Sequence, residues 1–392
     1  MAVPLQSDVP TFFAPAHDRL DYVPGRIVLR VLDEAREPFE LLEREAGAHT
    51  VEPLGGDMTI VWLDDGEVSP QLLRTVESSR AVEFAERVPA RWLSRAEPEA
   101  DPRHNRQWGL RAIRWFDTEV PEAAGVTVAI CDTGVDEAHP DLHGVVASYD
   151  HEGASATDIV GHGTHVSGIV AARTDDAAGV VGVARCSVAM WKVFPDEPMA
   201  GNFYVDGSRF LRALNAVATS GAKVLNLSLG GTQSSQAEQL LFERLERAGV
   251  TVVAAMGNEF DHGDPVEYPA AYEHVLAVGS LAETSRRSPF SNTGAHIGLA
   301  APGSNILSTL PTAPSQVRPD TRYASWSGTS MATPHVAAAA ALVAAKHPDW
   351  TPADTKEHLR SSAAKVADMA GKSFTPEFGA GVLDIATALS SD

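Results

Sequence analysis

The chain has 392 residues, 44% of them hydrophobic, with 52 acidic against 31 basic side chains and a formal charge of -21. That length and apolar content can hold a large core, either as two domains or as one large α/β unit with an appendage. The acidic balance argues against nucleic acid as a partner, because phosphate binding needs clustered Lys and Arg, and the absence of any run of 18 apolar residues argues against a membrane span.

Residues 1–23 read as an N-terminal extension. They have neither a basic start nor a continuous apolar stretch followed by a small-residue cleavage site, so no secretory signal is visible and a cytoplasmic location is expected, with secretion as the alternative. Residues 24–93 alternate in type: strands at 26–31, 59–63 and 81–88, and helices at 34–46 and 70–78. Such alternation over a short stretch predicts a small α+β sandwich of ferredoxin-like kind. Residues 94–106, SRAEPEADPRHNR, are charged, hold two prolines and show no apolar period, which predicts an exposed linker open to proteolysis, with Arg95, Arg103 and Arg106 as basic candidates for cleavage.

From residue 107 to 392 apolar strands alternate with helical stretches. Strands are expected at 126–131, 187–193, 223–229, 250–255 and 275–278, and helices at 164–173, 208–220, 236–248 and 330–347. Runs buried on both faces predict a three-layer α/β unit with a mostly parallel central sheet flanked by helices. Two cysteines, Cys131 and Cys186, are too few for a disulfide framework and read as reduced, buried thiols.

Three phrases carry chemistry. Asp132, in Cys131-Asp132-Thr133-Gly134, follows an apolar strand and so lies at its carboxyl end, where open α/β sheets place their sites. His162, in Gly161-His162-Gly163-Thr164-His165, sits between glycines at a helix start. His165 lies three residues on, but without an HExxH pattern or a third ligand it reads as a packed helix residue rather than a zinc ligand. Ser330, in Gly328-Thr329-Ser330-Met331-Ala332, opens an Ala-rich helix, with Pro334 expected within its first turn, where a missing N–H is harmless. Each residue alone has a plain structural role: Asp132 as a turn cap, Ser330 as an N-cap. Together they supply an acid, a base and a nucleophile, because a serine hydroxyl attacks near neutral pH only when an imidazole takes its proton and a carboxylate holds that imidazole.

The order Asp, His, Ser and five blocks of sequence, DTGVD at Asp132, GHGTHVSG at Gly161, SLGG at Ser228, AAMGN ending at Asn258 and SGTSMATPHVA at Ser327, make the chain resemble the subtilisin-like serine proteases over about 107–389. The resemblance implies a serine endopeptidase without a catalytic cofactor, acting on peptide or protein substrates. It implies Asp132, His162 and Ser330 as catalytic triad and Asn258 as side-chain oxyanion donor. It further implies that residues 24–93 are a prodomain, an intramolecular inhibitor of a zymogen, and that Ser228-Leu229-Gly230-Gly231 binds substrate in extended form.

The same resemblance places Glu259 and Glu267 near the primary pocket, with Met256 narrowing its wall. A half-buried acid there would favour Lys or Arg before the scissile bond, whereas two solvated surface acids would not. It also implies a structural calcium site from Asp141, Thr174, Asp176, Ala178 and Val180, since hard oxygen donors suit that ion, and a cis peptide at Tyr268-Pro269. Ala338 departs from the family's usual glycine, a matter of packing. Two rival readings remain open: a peptide-binding protein that keeps the motifs without turnover, and an enzyme whose first 100 residues are a permanent interaction module.

Overall fold

The computed structural model describes residues 22–31, 37–55, 58–64, 68–89, 106–118, 122–151, 154–174, 179–196, 205, 207–315 and 320–390. The chain divides into two compact units, Met1–Ala96 and Glu97–Asp392. The linker expected at 94–106 therefore lies outside the described residues but for Arg106, as do the first 21 residues of the extension.

In the first unit the elements run β1 (Tyr22–Val31), α1 (Glu37–Ala46), β2 (Ala48–Gly55), β3 (Met58–Leu63), α2 (Pro70–Glu77) and β4 (Val82–Pro89). The sheet is antiparallel in the order β2-β3-β1-β4, which is the ferredoxin-like βαββαβ arrangement. Alternate residues of β1, Ile27, Leu29 and Val31, are buried with Leu42 and Ala46 of α1, Val76 of α2 and Val61 of β3, the period-2 strand pattern meeting the apolar stripes of two helices. Ser69 caps α2 by accepting from the Leu72 N–H at 3.1 Å, with Pro70 at the first helical position. The sequence does not announce β2, because Pro53 interrupts it; as an edge strand it tolerates a residue without an N–H.

The second unit is built on a seven-stranded parallel sheet. Its strands are β5 (Glu122–Asp132), β6 (Val146–Asp150), β7 (Arg185–Lys192), β8 (Val224–Leu227), β9 (Thr251–Ala255), β10 (Val275–Leu281) and β11 (Ile297–Pro302), in the order β11-β10-β9-β8-β5-β7-β6. A hairpin, β12 (Ile306–Thr309) and β13 (Tyr323–Trp326), follows. The helices are α3 (Trp108–Ala112), α4 (His162–Ala171), α5 (Gly207–Val217), α6 (Gln236–Arg247), α7 (Thr329–Lys346), α8 (Pro352–Ser361) and α9 (Ile385–Ser390). Along β5, Val128 and Ile130 face one core with α4 and α7, while Ala129 and Cys131 face the other with α5 and α6. Burial on both faces is why these strands read as unbroken apolar runs.

The strands β6, β12 and β13 are four or five residues long with little apolar pattern and are not legible in the sequence, and neither is β11, Ile297–Pro302, an apolar run that carries a glycine and ends in a proline. β5 has β7 on one side and β8 on the other, so the chain leaves it in both directions. Its carboxyl end is the topological switch point at which open α/β sheets gather chemistry. Cys131 and Cys186 are buried and unpaired, and burial pushes the Cys186 thiol up to about 12. Among the described residues no helix is long and apolar enough to cross a membrane.

Candidate active site

Asp132 is the last residue of β5 and is 1% exposed. His162 is the first residue of α4, and its Nδ1 lies 2.8 Å from Asp132 Oδ1 and 3.0 Å from Oδ2. Since a carboxylate only accepts, Nδ1 carries the proton and Nε2 is left as the basic nitrogen. The approach of α4 to the end of β5 needs Gly163: a Cβ there would fall 2.1 Å from the Gly134 carbonyl oxygen and 3.1 Å from Asp132 Cβ. Burial alone pulls the His162 imidazole down, but the charge and hydrogen bond of Asp132, aided by the charge of Asp158, leave it above the ordinary histidine value.

Asp158 is a residue the sequence reading missed. Wholly enclosed at 1% exposure, its carboxylate accepts from Thr133 Oγ1 at 2.9 Å, Gly161 N at 2.8 Å, Thr164 N at 2.9 Å and Thr164 Oγ1 at 2.6 Å. Thr133 Oγ1 in turn accepts from Gly163 N at 2.9 Å. One buried acid thus takes the Gly161 and Thr164 N–H groups at the start of α4, which lack an intrahelical partner, and ties that turn to the residue after Asp132. Its only signal in the sequence is an Asp four residues before His162, which many turns also show.

Ser330 differs from expectation in one detail. The cap of α7 is Gly328, so Ser330 is the second helical residue rather than the N-cap, and Pro334 lies in the second turn. At that depth the missing N–H of Pro334 leaves the Ser330 carbonyl without its i+4 partner, and the hydroxyl of Ser228 fills the gap by donating to it at 2.8 Å. Ser330 Oγ donates back to the Ser228 carbonyl at 3.1 Å. No hydrogen bond joins Ser330 Oγ to His162 among the described residues. A change of χ1 well swings the hydroxyl away from Ser228, and in unliganded sites such bonds often form only with substrate. The Ser330 N–H, in the first turn of α7, has no intrahelical acceptor.

Asn258 follows β9 and is exposed. Its Oδ1 accepts from the Thr329 N–H at 2.8 Å and the Thr329 hydroxyl at 3.0 Å, and its Nδ2 lies 3.7 Å from the place a Cβ on Gly328 would occupy. The carboxamide oxygen is therefore held against the first residue of α7, and Nδ2 lies beside Gly328. His165 is a packed residue: Nε2 lies 3.1 Å from the Ala324 carbonyl and its ring stacks on Trp326 at 4.9 Å, while Trp326 also stacks on His162 at 6.4 Å.

The pocket residues separate. Gly231 pairs with Tyr268 by N–H to carbonyl bonds of 2.9 and 2.8 Å in both directions, while Leu229 and Gly230 make no backbone hydrogen bond among the described residues, leaving an edge for an added strand. Glu267 is 8% exposed and lies where a Cβ on Gly257 or Gly230 would meet its oxygens, at 2.1 and 2.7 Å. Burial, with the Glu259 charge adding to it, pushes its carboxyl up, and a hydrogen bond from Asn292 acts the other way. Glu259 is 52% exposed beside His262, in keeping with the solvated-acid reading. One expectation is corrected: Met256 is wholly buried in the cluster that holds Leu227, Ala270 and Tyr272, so it presents no surface to a pocket. The Tyr268–Pro269 peptide is cis, as expected.

The calcium set does not assemble from the described residues. Asp141 is fully buried, but Oδ1 accepts from the Tyr323 hydroxyl at 2.8 Å and Oδ2 from the Val180 N–H at 2.9 Å. Thr174 Oγ1 accepts from Arg185 Nε at 2.7 Å, and Asp176 and Ala178 lie outside the described residues. No group of three His, Cys, Asp or Glu able to hold a metal exists among the described residues. A calcium ion needs 6–8 oxygen ligands, and of the expected set the described residues supply the Asp141 carboxylate, Thr174 and Val180.

Residues 123–381 match the subtilase family of peptidases. Subtilisin from Bacillus pumilus is 36% identical over 269 residues, 68% of this chain and 91% of that protein. The alkaline protease of Shouchella clausii is 32% identical over 379 residues, 91% of this chain and 92% of its own length. The crystal structure of fervidolysin from Fervidobacterium pennivorans, described as a keratinolytic enzyme related to subtilisin, superposes with a TM-score of 0.66 at 26% identity. It covers 95% of this chain, which spans 61% of that longer one.

Proposed function

This chain belongs to the subtilase family and is a serine endopeptidase acting on peptide substrates, and from that premise we propose how its residues divide the work. Ser330 Oγ attacks the scissile carbonyl, His162 Nε2 takes its proton and returns it to the leaving amine, and Asp132 fixes the imidazole and stabilises its charged form. The Ser330 N–H and Asn258 Nδ2 hold the oxyanion. Water then releases the acyl group from Ser330, with His162 acting as base once more. The observation that carries this reading is the Asp132 to His162 contact of 2.8 Å at the end of β5. Labelling by a fluorophosphonate tests it: Ser330 must take the label and Ser330→Ala must not, while an unlabelled native protein points to peptide binding without turnover.

We propose that the first unit is the prodomain of a zymogen and its intramolecular inhibitor. Its ferredoxin-like sheet supports this, as does the Shouchella clausii alkaline protease, whose match over 91% of this chain reaches into the first unit. Mass measurement after self-incubation, with Ser330→Ala as control, decides it: loss of about the first unit from the native chain only is expected, and a chain that stays whole yet active makes the unit a permanent module.

We propose that the enzyme prefers Lys or Arg before the scissile bond. Glu267 supports this, since a carboxylate enclosed between Gly230 and Gly257 offers one oxygen, Oε2, with no protein donor among the described residues. Peptides differing only in Arg, Leu or Phe at that position test it, and a clear preference for Phe ends it.

A further inference from the structure

Asn292 is 0% exposed, and its N–H and side-chain amide make four hydrogen bonds in the wall between the oxyanion donor and the pocket acid. Its N–H donates to the Gly257 carbonyl at 3.1 Å and its Oδ1 accepts from the Glu259 N–H at 2.7 Å. Its Nδ2 donates to the Pro265 carbonyl at 3.1 Å and to Glu267 Oε1 at 3.0 Å. The amide has one workable orientation. Turned over, Nδ2 would oppose the Glu259 N–H, and Oδ1 would oppose a carbonyl and a carboxylate, all acceptors.

We infer that Asn292 is the positioning residue for substrate choice: it aims Glu267 into the primary pocket by donating to its carboxyl group, although it touches no substrate itself. The inference rests on the Lys or Arg preference proposed above. Two arguments lead to it. A glutamate side chain has three rotatable bonds, and Asn292 is the sole side-chain donor to Glu267 among the described residues, so the position of Oε2 depends on that bond. An enclosed carboxylate also resists ionisation, and a donor to the charged form is what offsets the loss of water. Glu259 adds a nearby negative charge that Asn292 must also counter. The same residue brackets Asn258 by holding Gly257 on one side of it and Glu259 on the other, so the oxyanion donor and the pocket share one anchor.

The experiment compares kcat/KM for two peptides differing only in Arg or Leu before the scissile bond. It uses the native enzyme, Glu267→Gln, Asn292→Leu and Asn292→Ser, the last in parallel because leucine strands the Pro265 carbonyl and the variant can fail to fold. A loss of general integrity lowers both peptides alike, so the ratio isolates the pocket. Expected is a collapse of the Arg to Leu ratio in Glu267→Gln and a fall of roughly tenfold in the Asn292 variants, the scale of one hydrogen bond to a charged group. An unchanged ratio in the Asn292 variants beside a collapsed one in Glu267→Gln overturns the role of Asn292 and leaves the preference intact. An unchanged ratio in Glu267→Gln overturns both.

Discussion

Thr329 donates twice to Asn258, through its backbone N–H at 2.8 Å and its hydroxyl at 3.0 Å, both to Oδ1. The residue before the nucleophile thereby decides which end of the Asn258 carboxamide faces the oxyanion. The hydroxyl also accepts from the Gly257 N–H at 3.2 Å, which joins the oxyanion loop to the start of α7.

Replacing Asn258 by Ala should lower kcat about 10²- to 10³-fold with KM little changed, the size of loss known for such a donor in a subtilisin. Thr329→Val keeps the backbone N–H and loses the hydroxyl, so a smaller fall in kcat is expected. Steady-state kinetics on one peptide check both, and equal losses in the two variants would contradict the ordering.

The pH profile follows from His162. The base must be neutral, and its pKa lies above the ordinary value, so kcat/KM should rise with pH through a limb above 6.5, the model-peptide value, and then level. Asp158→Asn removes one of the charges that raise it, so the limb should move to lower pH even as kcat falls from the loosened α4 turn. A limb that stays in place would mean that Asp158 acts only through packing.

Stability should fall in acid for a separate reason. His165 and His335 are enclosed, and burial lowers them to about 3 and about 4, whereas both titrate near 6.5 in the unfolded chain. Below 6.5 the unfolded state binds protons that the folded state refuses, so the stability present above 6.5 is lost progressively as pH falls towards 4. Denaturant melts of Ser330→Ala, which avoid self-digestion, should show this slope, and a flat profile from pH 7 to 4 would contradict it.

Tyr323 holds Asp141 where the family resemblance puts an ion. Tyr323→Phe removes a hydrogen bond to an enclosed carboxylate, so a loss of about 1–3 kcal/mol is expected. Chelator should leave the melting temperature of the native protein unmoved. A rise in melting temperature on adding calcium, followed by a fall on chelation, would restore the metal reading.

How much was legible in the sequence differs from element to element. The buried strands β5, β7, β8, β9 and β10 could be read because apolar runs on both faces leave a dense signal. The strand β2 could not, since Pro53 interrupts it, and β6 and β13 could not, since each is only four or five residues long and no residue of either is buried, which leaves no dense apolar run. Glu267 stood out only as an acid before a Tyr-Pro pair. Asn292 gave no signal at all, because a lone asparagine in a polar loop looks the same whether or not its amide is fully used.

By itself the sequence determined the reaction class, since Asp132, His162 and Ser330 each sit in a motif whose local backbone must turn sharply, and short-range glycines record that need. The tertiary structure alone decided which groups orient them: Asp158 beneath α4, Ser228 against the carbonyl that Pro334 leaves open, Thr329 on Asn258 and Asn292 on Glu267. Those contacts depend on the closing of the sheet and the docking of α4 and α7 on it. Hydrogen bonding is a matter of a few tenths of an ångström and of direction, and the order of residues along a chain carries neither.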